Sequence, residues 1–340
     1  MQIATIGLDL AKHWFQIHGV DVEGRTVVRK RLKRADVPRF FSEVPPCLIG
    51  MEACATAHYW ARQIAKYGHQ VKLMPPAYVK PYVRRGKNDE RDAEAICEAV
   101  TRPNMRFVAV KSDDQQAFLM VHRARELLVR QRTMSACAVR AHLAEFGVIA
   151  PQGRQRVDQL VEWLDTEEGK RLPVLAHEAL RVLVIHLEEL STRIASLEAE
   201  LAKLHRSNPI AQLLSTIPGV GPITSTALVA TVPDPSVFRS GREFAAWIGL
   251  TPRQNSSGGK EKLGRITKKG DVYLRHLLVI GARNVVRFPK ARALVGAAWI
   301  DSLLARRRPM VVAVAVANKM ARIIWAMMTT GECYRRVAAS

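Results

Sequence analysis

Two periodicities divide this chain. Up to about residue 110, apolar residues come in short, β-branched runs: "IATIGLDL", "FQIHGVDV" and, after Glu23-Gly24, "RTVVRKRL". Runs of this length with so little between them predict an antiparallel meander. Next, "VPRFFSEV" predicts a short helix, "PCLIGME" a buried strand, "AHYWARQIAKYG" a helix closed by its glycine, and "QVKLMPP" another strand. Three strands followed by βαβ units make residues 1–110 an α/β domain.

From Ser112 the period lengthens. Residues 112–147 read as one helix, from an acidic first turn to a terminal glycine. Its Arg123, Arg125, Arg130, Arg132 and Arg140 form either a solvated face or a contact to nucleic-acid backbone. Further on, Leu180, Leu183, Leu187, Leu190, Ile194, Leu197, Leu201 and Leu204 alternate steps of three and four, an uninterrupted heptad seam. Such a seam needs a partner helix. A hairpin with the basic helix satisfies it and so does a dimer contact; the regularity favours the dimer. Residues 111–206 are thus expected to be a long basic helix and a coiled-coil segment, although 150–180 carry no recognisable motif.

"RSNP" breaks the heptads, and residues 207–340 are expected to form a mostly helical domain. Within it, "LLSTIPGVGPITSTALVATV" sets Pro218-Gly219-Val220-Gly221 between two apolar helical stretches, the pattern of a helix-hairpin-helix. Glycines permit the tight turn, and the second helix then aims free N–H groups at a phosphate, which makes Gly219 and Gly221 nucleic-acid-binding candidates. An ordinary glycine-rich helical hairpin has the same signature. The apolar run Met310–Ala317 meets Asn318, Lys319 and Arg322, short of the ~20 residues of a membrane span, and reads as a buried helix.

Composition narrows the partners. The 340 residues are 48% hydrophobic, enough for substantial cores in two or three domains. Lys and Arg number 52 against 31 Asp and Glu, a formal charge of +21. That excess favours a polyanion, because neutralising phosphates releases condensed counterions; nucleic acid is the default. No basic amphipathic helix with an aromatic face suggests a membrane partner. The first residues lack the features of a signal peptide, so the protein is expected inside the cell. Five cysteines without CxxC spacing argue against a zinc site or a disulfide framework and are expected as reduced core residues.

Carboxylates supply the candidate chemistry. Asp9 sits in the apolar first strand, where burying it is expensive unless a cation or hydrogen bonds hold it. Glu52 ends the fourth strand, where parallel strands deliver functional side chains. In "KNDERDAEAICEAV", Asp89 and Asp92 share one helical face, while Ala93, Ile96, Cys97 and Val100 form the packing stripe. Each carboxylate has an ordinary reading: a strand end, a cap, a solvated first turn. Brought together, the four would repel, so the cluster makes sense around hard cations, and oxygen-only ligands suit Mg²⁺ or Mn²⁺. Paired ions of this kind stabilise both the attacking and the leaving oxygen of a phosphodiester displacement.

The order first strand, fourth strand, later helix resembles the RuvC-like branch of the ribonuclease H fold. More closely, "GLDLAK", "GMEACATAHYWARQI", "KNDERDAEAI", the heptad helix, "IPGVGPITSTAL", "FAAWIGLTPRQNSSGGK" and "GRITKKGD" resemble the DEDD transposases of the insertion-sequence 110/1111 family. By composition "NSSGGK" is a linker. The resemblance implies instead that a serine of this loop attacks DNA and forms a covalent phosphoserine link. Ser257, just before Gly258, matches the family position, with Ser256 as the reserve. Around it, Arg253, Lys260, Lys262, Arg265, Lys268 and Lys269 are candidates to hold the strand by its phosphates. Because the carboxylates and the serine lie far apart in sequence, the serine loop is expected to dock on the carboxylate domain, within a homodimer or higher oligomer joined through the heptad helix; the resemblance implies that an RNA encoded by the element guides the choice of DNA.

Overall fold

The computed structural model describes residues 2–83, 89–149, 162–260 and 262–335. They gather into two compact units, Met1–Gln116 with Val232–Val237, and Ala117–Thr231 with Phe238–Ser340. The first part of the motif-free stretch, residues 150–161, lies outside the described residues, as do Lys87, Asn88 and Glu261.

The first unit is a five-stranded sheet with helices on both faces. Its strands are β1 (Thr5–Leu10), β2 (Trp14–Val20), β3 (Thr26–Lys33), β4 (Leu48–Glu52) and β5 (Gln70–Met74), and its helices α1 (Val37–Glu43), α2 (Ala57–Ala65), α3 (Pro76–Val79) and α4 (Asp89–Val100). The order is β3-β2-β1-β4-β5, with β1 to β3 antiparallel as a meander and β1, β4 and β5 parallel. At the β2–β3 turn, the Asp21 Oδ1 accepts from the N–H groups of Glu23 and Arg25, both at 2.9 Å, and Gly24 takes φ +80. That side chain replaces backbone partners that the turn leaves unpaired.

Strand alternation splits the sheet into two different faces. Ile6, Leu8, Ile17, Ile49 and Met51 are buried in one cluster with Phe41 of α1 and Trp60 and Ile64 of α2. On the opposite face, α4 lies on a pair of glycines. Gly7 and Gly50 are neighbours in the β1–β4 register. A Cβ on Gly7 would stand 2.0 Å from the Ala93 carbonyl oxygen, and one on Gly50 would stand 2.7 Å from Val100 Cβ. Only glycine lets the helix approach this closely. The stripe Ala93, Ile96, Cys97 and Val100 is buried beneath it, as its spacing predicts.

In the second unit, α5 (Asp113–Ala144, beginning at the end of the first unit) and α6 (Val174–Ser207) lie antiparallel. Ser112 and Gln115 cap α5 reciprocally, each side chain accepting from the other's N–H. Arg125 donates to Glu198 at 2.6 and 2.8 Å, while Ala136, Val139 and Leu143 pack against Leu180, Val184 and Leu187. Leu190, Ile194 and Leu201 are buried as well. The seam therefore finds its partner helix within the chain, and the ground for preferring a dimer contact through it disappears. Of the arginine series, Arg125 is spent on Glu198 and Arg130 on Glu126.

The remaining helices are α7 (Pro209–Leu214), α8 (Pro222–Thr231), α9 (Gly241–Ile248), α10 (Val272–Arg287), α11 (Pro289–Val295), α12 (Ala297–Leu304) and α13 (Pro309–Thr330), with a two-stranded sheet of β6 (Pro252–Gln254) and β7 (Leu263–Ile266). α13 packs on α9 and α10 and buries Val312, Ala313, Val316, Ala317, Met320 and Ile324. By length and composition it is also the one described helix able to span a bilayer. Cys47 and Cys97 are core residues, and burial pushes both thiols up to about 11. Cys54, Cys137 and Cys333 are exposed, contrary to the expectation that all five line cores.

Candidate metal centre and serine hairpin

The two glycines that seat α4 also aim the carboxylates. Asp9 lies two residues beyond Gly7 and Glu52 two beyond Gly50, so period-two alternation sends both side chains to the face that α4 covers. β1 and β4 are parallel, which puts both at the same, C-terminal edge. α4 begins there, with Asp89, Glu90 and Asp92 in its first turn.

The result is a carboxylate cluster: ligand oxygens of Asp9, Asp89 and Asp92 all lie within 4.8 Å of one another. Asp9 and Asp92 are half-buried and Asp89 is exposed. Glu52 stands just outside this tight set, yet the set acts on it. Burial first, then the charges of Asp9 and Asp92, push its carboxyl up from the usual value. Although Cys54 is exposed as a residue, its thiol is raised first by partial desolvation against the protein and then by the charges of Asp9 and Glu52. Both shifts have the sign of a concentrated negative field.

An oxygen-only, acidic donor set at one sheet edge fits a hard divalent cation, and it fits neither zinc nor copper preferences. Asp9, Asp89 and Asp92 would hold such an ion, with Glu52 within its field. The helix N-terminus offsets part of the repulsion among the carboxylates. Among the described residues this is the one acidic group close enough for shared ligation.

The serine stretch is a β-hairpin rather than a shapeless loop. β6 and β7 pair antiparallel, and beyond them Ser257 bridges Lys260, whose N–H donates to the Ser257 carbonyl at 3.1 Å. Gly258 and Gly259 take φ +58 and +77, the left-handed pair a tight two-residue hairpin turn demands. The two serines differ. Ser256 Oγ accepts from the Lys262 N–H at 3.2 Å, whereas Ser257 Oγ makes no hydrogen bond to a described residue and stands exposed at the tip.

The base of the hairpin is fixed by close packing. A Cβ on Gly249 would meet the Lys269 carbonyl at 2.1 Å, and one on Gly270 the Trp247 carbonyl at 1.8 Å. Arg275 Nη1 donates to the carbonyls of Ile248 and Lys269 at 2.8 and 3.1 Å. Lys268 is held at φ +55, a conformation rarely adopted by residues with a Cβ. Arg253, Lys260, Lys262, Arg265, Lys268 and Lys269 are all exposed along this hairpin and its base.

Gly219 has a different task from the one its motif suggests. Its Cβ would meet the Gly281 carbonyl of α10 at 2.7 Å, so the glycine serves close backbone packing. Gly221, with open space around it, leads into α8 and is exposed. Sequence reasoning did not single out Gly7, Gly50 or Arg275.

Residues 6–148 match a transposase family of the DEDD IS110 type, and residues 211–295 match the transposase IS116/IS110/IS902 family. The chain is 49% identical over 336 residues to a probable family 20 transposase of Pseudomonas aeruginosa, covering 98% of this chain and 99% of that one. It is 41% identical to the transposase for insertion sequence element IS1328 of Yersinia enterocolitica, with 98% and 99% covered. The transposase for insertion sequence element IS1111A of Coxiella burnetii is 37% identical, with 98% and 92% covered.

Proposed function

The chain belongs to the IS116/IS110/IS902 family of insertion-sequence transposases, enzymes that recombine DNA, and we propose that it does so through a serine-linked DNA intermediate supported by a carboxylate-held divalent ion. The observation that carries the reading is the convergence of Asp9, Asp89 and Asp92 within 4.8 Å. The sheet order β3-β2-β1-β4-β5 supports a RuvC-like, ribonuclease H-type domain. We read the α7–α8 turn as a helix-hairpin-helix in which Gly221, not Gly219, faces the DNA backbone.

In this reading Asp9, Glu52, Asp89 and Asp92 form the ligand set, with Mg²⁺ the favoured ion and Mn²⁺ a substitute. A bound divalent ion of this kind supplies Lewis-acid polarisation of the phosphate and stabilises charge on the departing oxygen. The Ser257 Oγ bonds to phosphorus, the bond from phosphorus to the 3′ oxygen breaks, and the proton lost by the serine is balanced by the one the 3′ oxygen gains. Attack of another strand's 3′ hydroxyl on the phosphoserine reverses these steps and restores the serine. Phosphodiester energy is thereby kept for rejoining. Arg253, Lys260, Lys262, Arg265, Lys268 and Lys269 hold the strand by its phosphates.

Each serine forms one link, so exchanging two DNA partners calls for more than one copy; we therefore retain a homodimer or higher assembly without assigning it to the heptad seam. The +21 charge also suits a folded RNA, which we propose as the guide that chooses the DNA. The working place is the cytoplasm, at the nucleoid.

The test is incubation with the element's DNA ends, Mg²⁺ and the flanking noncoding RNA, followed by a denaturing gel. The expected result is a protein–DNA adduct that vanishes with Ser257→Ala and survives Ser256→Ala. Cleavage without an adduct, undiminished in Ser257→Ala, would assign the attack to water instead.

A further inference from the structure

A second feature of the C-terminal unit adjoins this chemistry and shares Arg265 and Lys268 with the strand-holding set. Between the serine hairpin and helices α9 and α13 lies a cavity of about 1450 Å³. Its floor is apolar and aromatic: Trp299, Val314, Ile323 and Trp325 line it, with Met310 and Val311 at the mouth, both more than half exposed. Its rim is cationic. Arg242, Arg265, Lys268 and Arg322 all line the cavity, no described carboxylate shares that lining, and none of the four is paired with a described acid.

Size, floor and rim select among ligands. Sites for small molecules usually span about 300–1,000 Å³, so this cavity has room for more than a single small molecule. Apolar floors take flat or greasy groups, and four arginine and lysine side chains without a counter-charge call for an anion. Single-stranded nucleic acid is the polymer that brings both, because unstacked bases offer π-faces while the backbone offers phosphates. Duplex DNA hides its bases in the stack and does not fit such a floor. Lys319 fixes the ring that faces this space: its Nζ lies 4.8 Å over Trp299 and donates to the Val295 carbonyl at 2.9 Å.

We propose that this cavity binds an unstacked segment of single-stranded DNA, its bases on the floor around Trp299 and its phosphates on Arg242, Arg265, Lys268 and Arg322. The hairpin explains why the strand is DNA. Pro252, Arg265 and Ile266 belong to the same β6–β7 sheet that carries Ser257 at its tip, so a strand lying in the cavity runs along the element that presents the serine. The cavity then keeps a freed strand end close until it is rejoined. This deepens the reading of the hairpin as a DNA-holding element but does not require Ser257 to be the nucleophile.

Fluorescence anisotropy of the full chain tests it, with three labelled probes of one length: oligothymidylate, an abasic DNA oligomer and oligouridylate. Trp299→Ala should weaken oligothymidylate about tenfold, the loss of one stacked base, and leave the abasic oligomer unchanged. Arg242→Ala with Arg322→Ala should weaken both DNA probes and lower the salt slope by roughly 0.7 per removed charge. Val311→Asp sits on an exposed residue that folding does not need, and its carboxylate at the mouth should weaken both probes as well. The proposal falls if Trp299→Ala and Val311→Asp leave oligothymidylate binding intact, or if Trp299→Ala weakens the abasic probe equally. Tighter, Trp299-dependent binding of oligouridylate would hand the cavity to RNA and overturn the assignment to DNA. Ser257→Ala should keep every affinity, so loss of the adduct and loss of strand binding are separate failures.

Discussion

Replacing Gly7 by alanine asks whether the carboxylate cluster depends on how closely α4 approaches the sheet. The added Cβ stands 2.0 Å from the Ala93 carbonyl oxygen and 2.4 Å from the Cys97 nitrogen, both backbone atoms of one helix. Ordinary contact begins at 3.4 Å, so the nearest pair is about 1.4 Å too close. No rotamer relieves a clash between a Cβ and a backbone, and taking it up in bond angles would cost several kcal/mol. Instead α4 must lift or slide. Overpacking of this sort costs about 1–3 kcal/mol, and backbone contacts place Gly7→Ala at the upper end. The movement reaches the chemistry because the helix that lifts carries Asp89 and Asp92, while Asp9 stays with the strand. A displacement near 1 Å is enough to lower a catalysed rate about a hundredfold. Three measurements follow the chain of causes: urea unfolding, calorimetric titration with Mn²⁺, and strand cleavage. The expected variant is destabilised, binds Mn²⁺ weakly and cuts slowly. Wild-type unfolding together with wild-type Mn²⁺ affinity would refute the argument that helix approach sets the cluster.

Three further outcomes follow from other parts of the molecule. Asp92→Asn removes one charge from a mutually repelling set, so without metal it should be as stable as the parent or slightly more so, while Mn²⁺ binding and EDTA-sensitive cleavage are lost; retained Mn²⁺ affinity would contradict the ligand set. Leu187→Ala opens a hole in the α5–α6 seam and should cost about 2–5 kcal/mol, read as a drop in the urea midpoint that does not depend on protein concentration. His122 is fully buried, and burial with the charge of Arg125 holds its pKa down at about 4, against 6.5 when unfolded. The unfolded chain alone takes up this proton between those values, so stability should fall as pH drops from 6.5 to 4, by roughly 3 kcal/mol in all, and level off below. His122→Gln should flatten that part of the pH profile in thermal unfolding; an unchanged profile would mean that another group sets it.

Much of the first unit was legible because local signals and tertiary structure agree there. Short β-branched runs at close spacing leave few options other than a meander, and Ala93, Ile96, Cys97 and Val100 repeat at the one period a helix can bury. The α5–α6 pairing was legible only as a need. A heptad seam states that an apolar face must be covered, but intrachain and interchain partners satisfy it equally, and the deciding contacts, Val139 and Leu143 against Leu180 and Leu187, lie some forty residues apart in sequence. The serine hairpin was hidden for the opposite reason. Its strands are three and four residues long and fully polar at the tip, so they have no hydrophobic alternation; what registers them is Gly258-Gly259 and the packing of Gly249 and Gly270 at the base.

The carboxylates could be named from their order along the chain, yet order alone does not bring side chains to one face. That information was present in the sequence in a form easily passed over. "GLD" and "GME" both place a glycine two residues before the acid, and in a strand two residues is one full period. A glycine on the face of a central strand marks where another backbone comes close, and the acid two places on points to that same side. When two such triplets fall on adjacent parallel strands, one helix can lie across both glycines, and its end then meets both acids. α4 does this, and its own first turn brings Asp89 and Asp92 to the same edge. The glycines therefore make the site as much as the carboxylates do. A search for carboxylate clusters in uncharacterised α/β chains gains specificity by asking for the glycine first and the acid one strand period later.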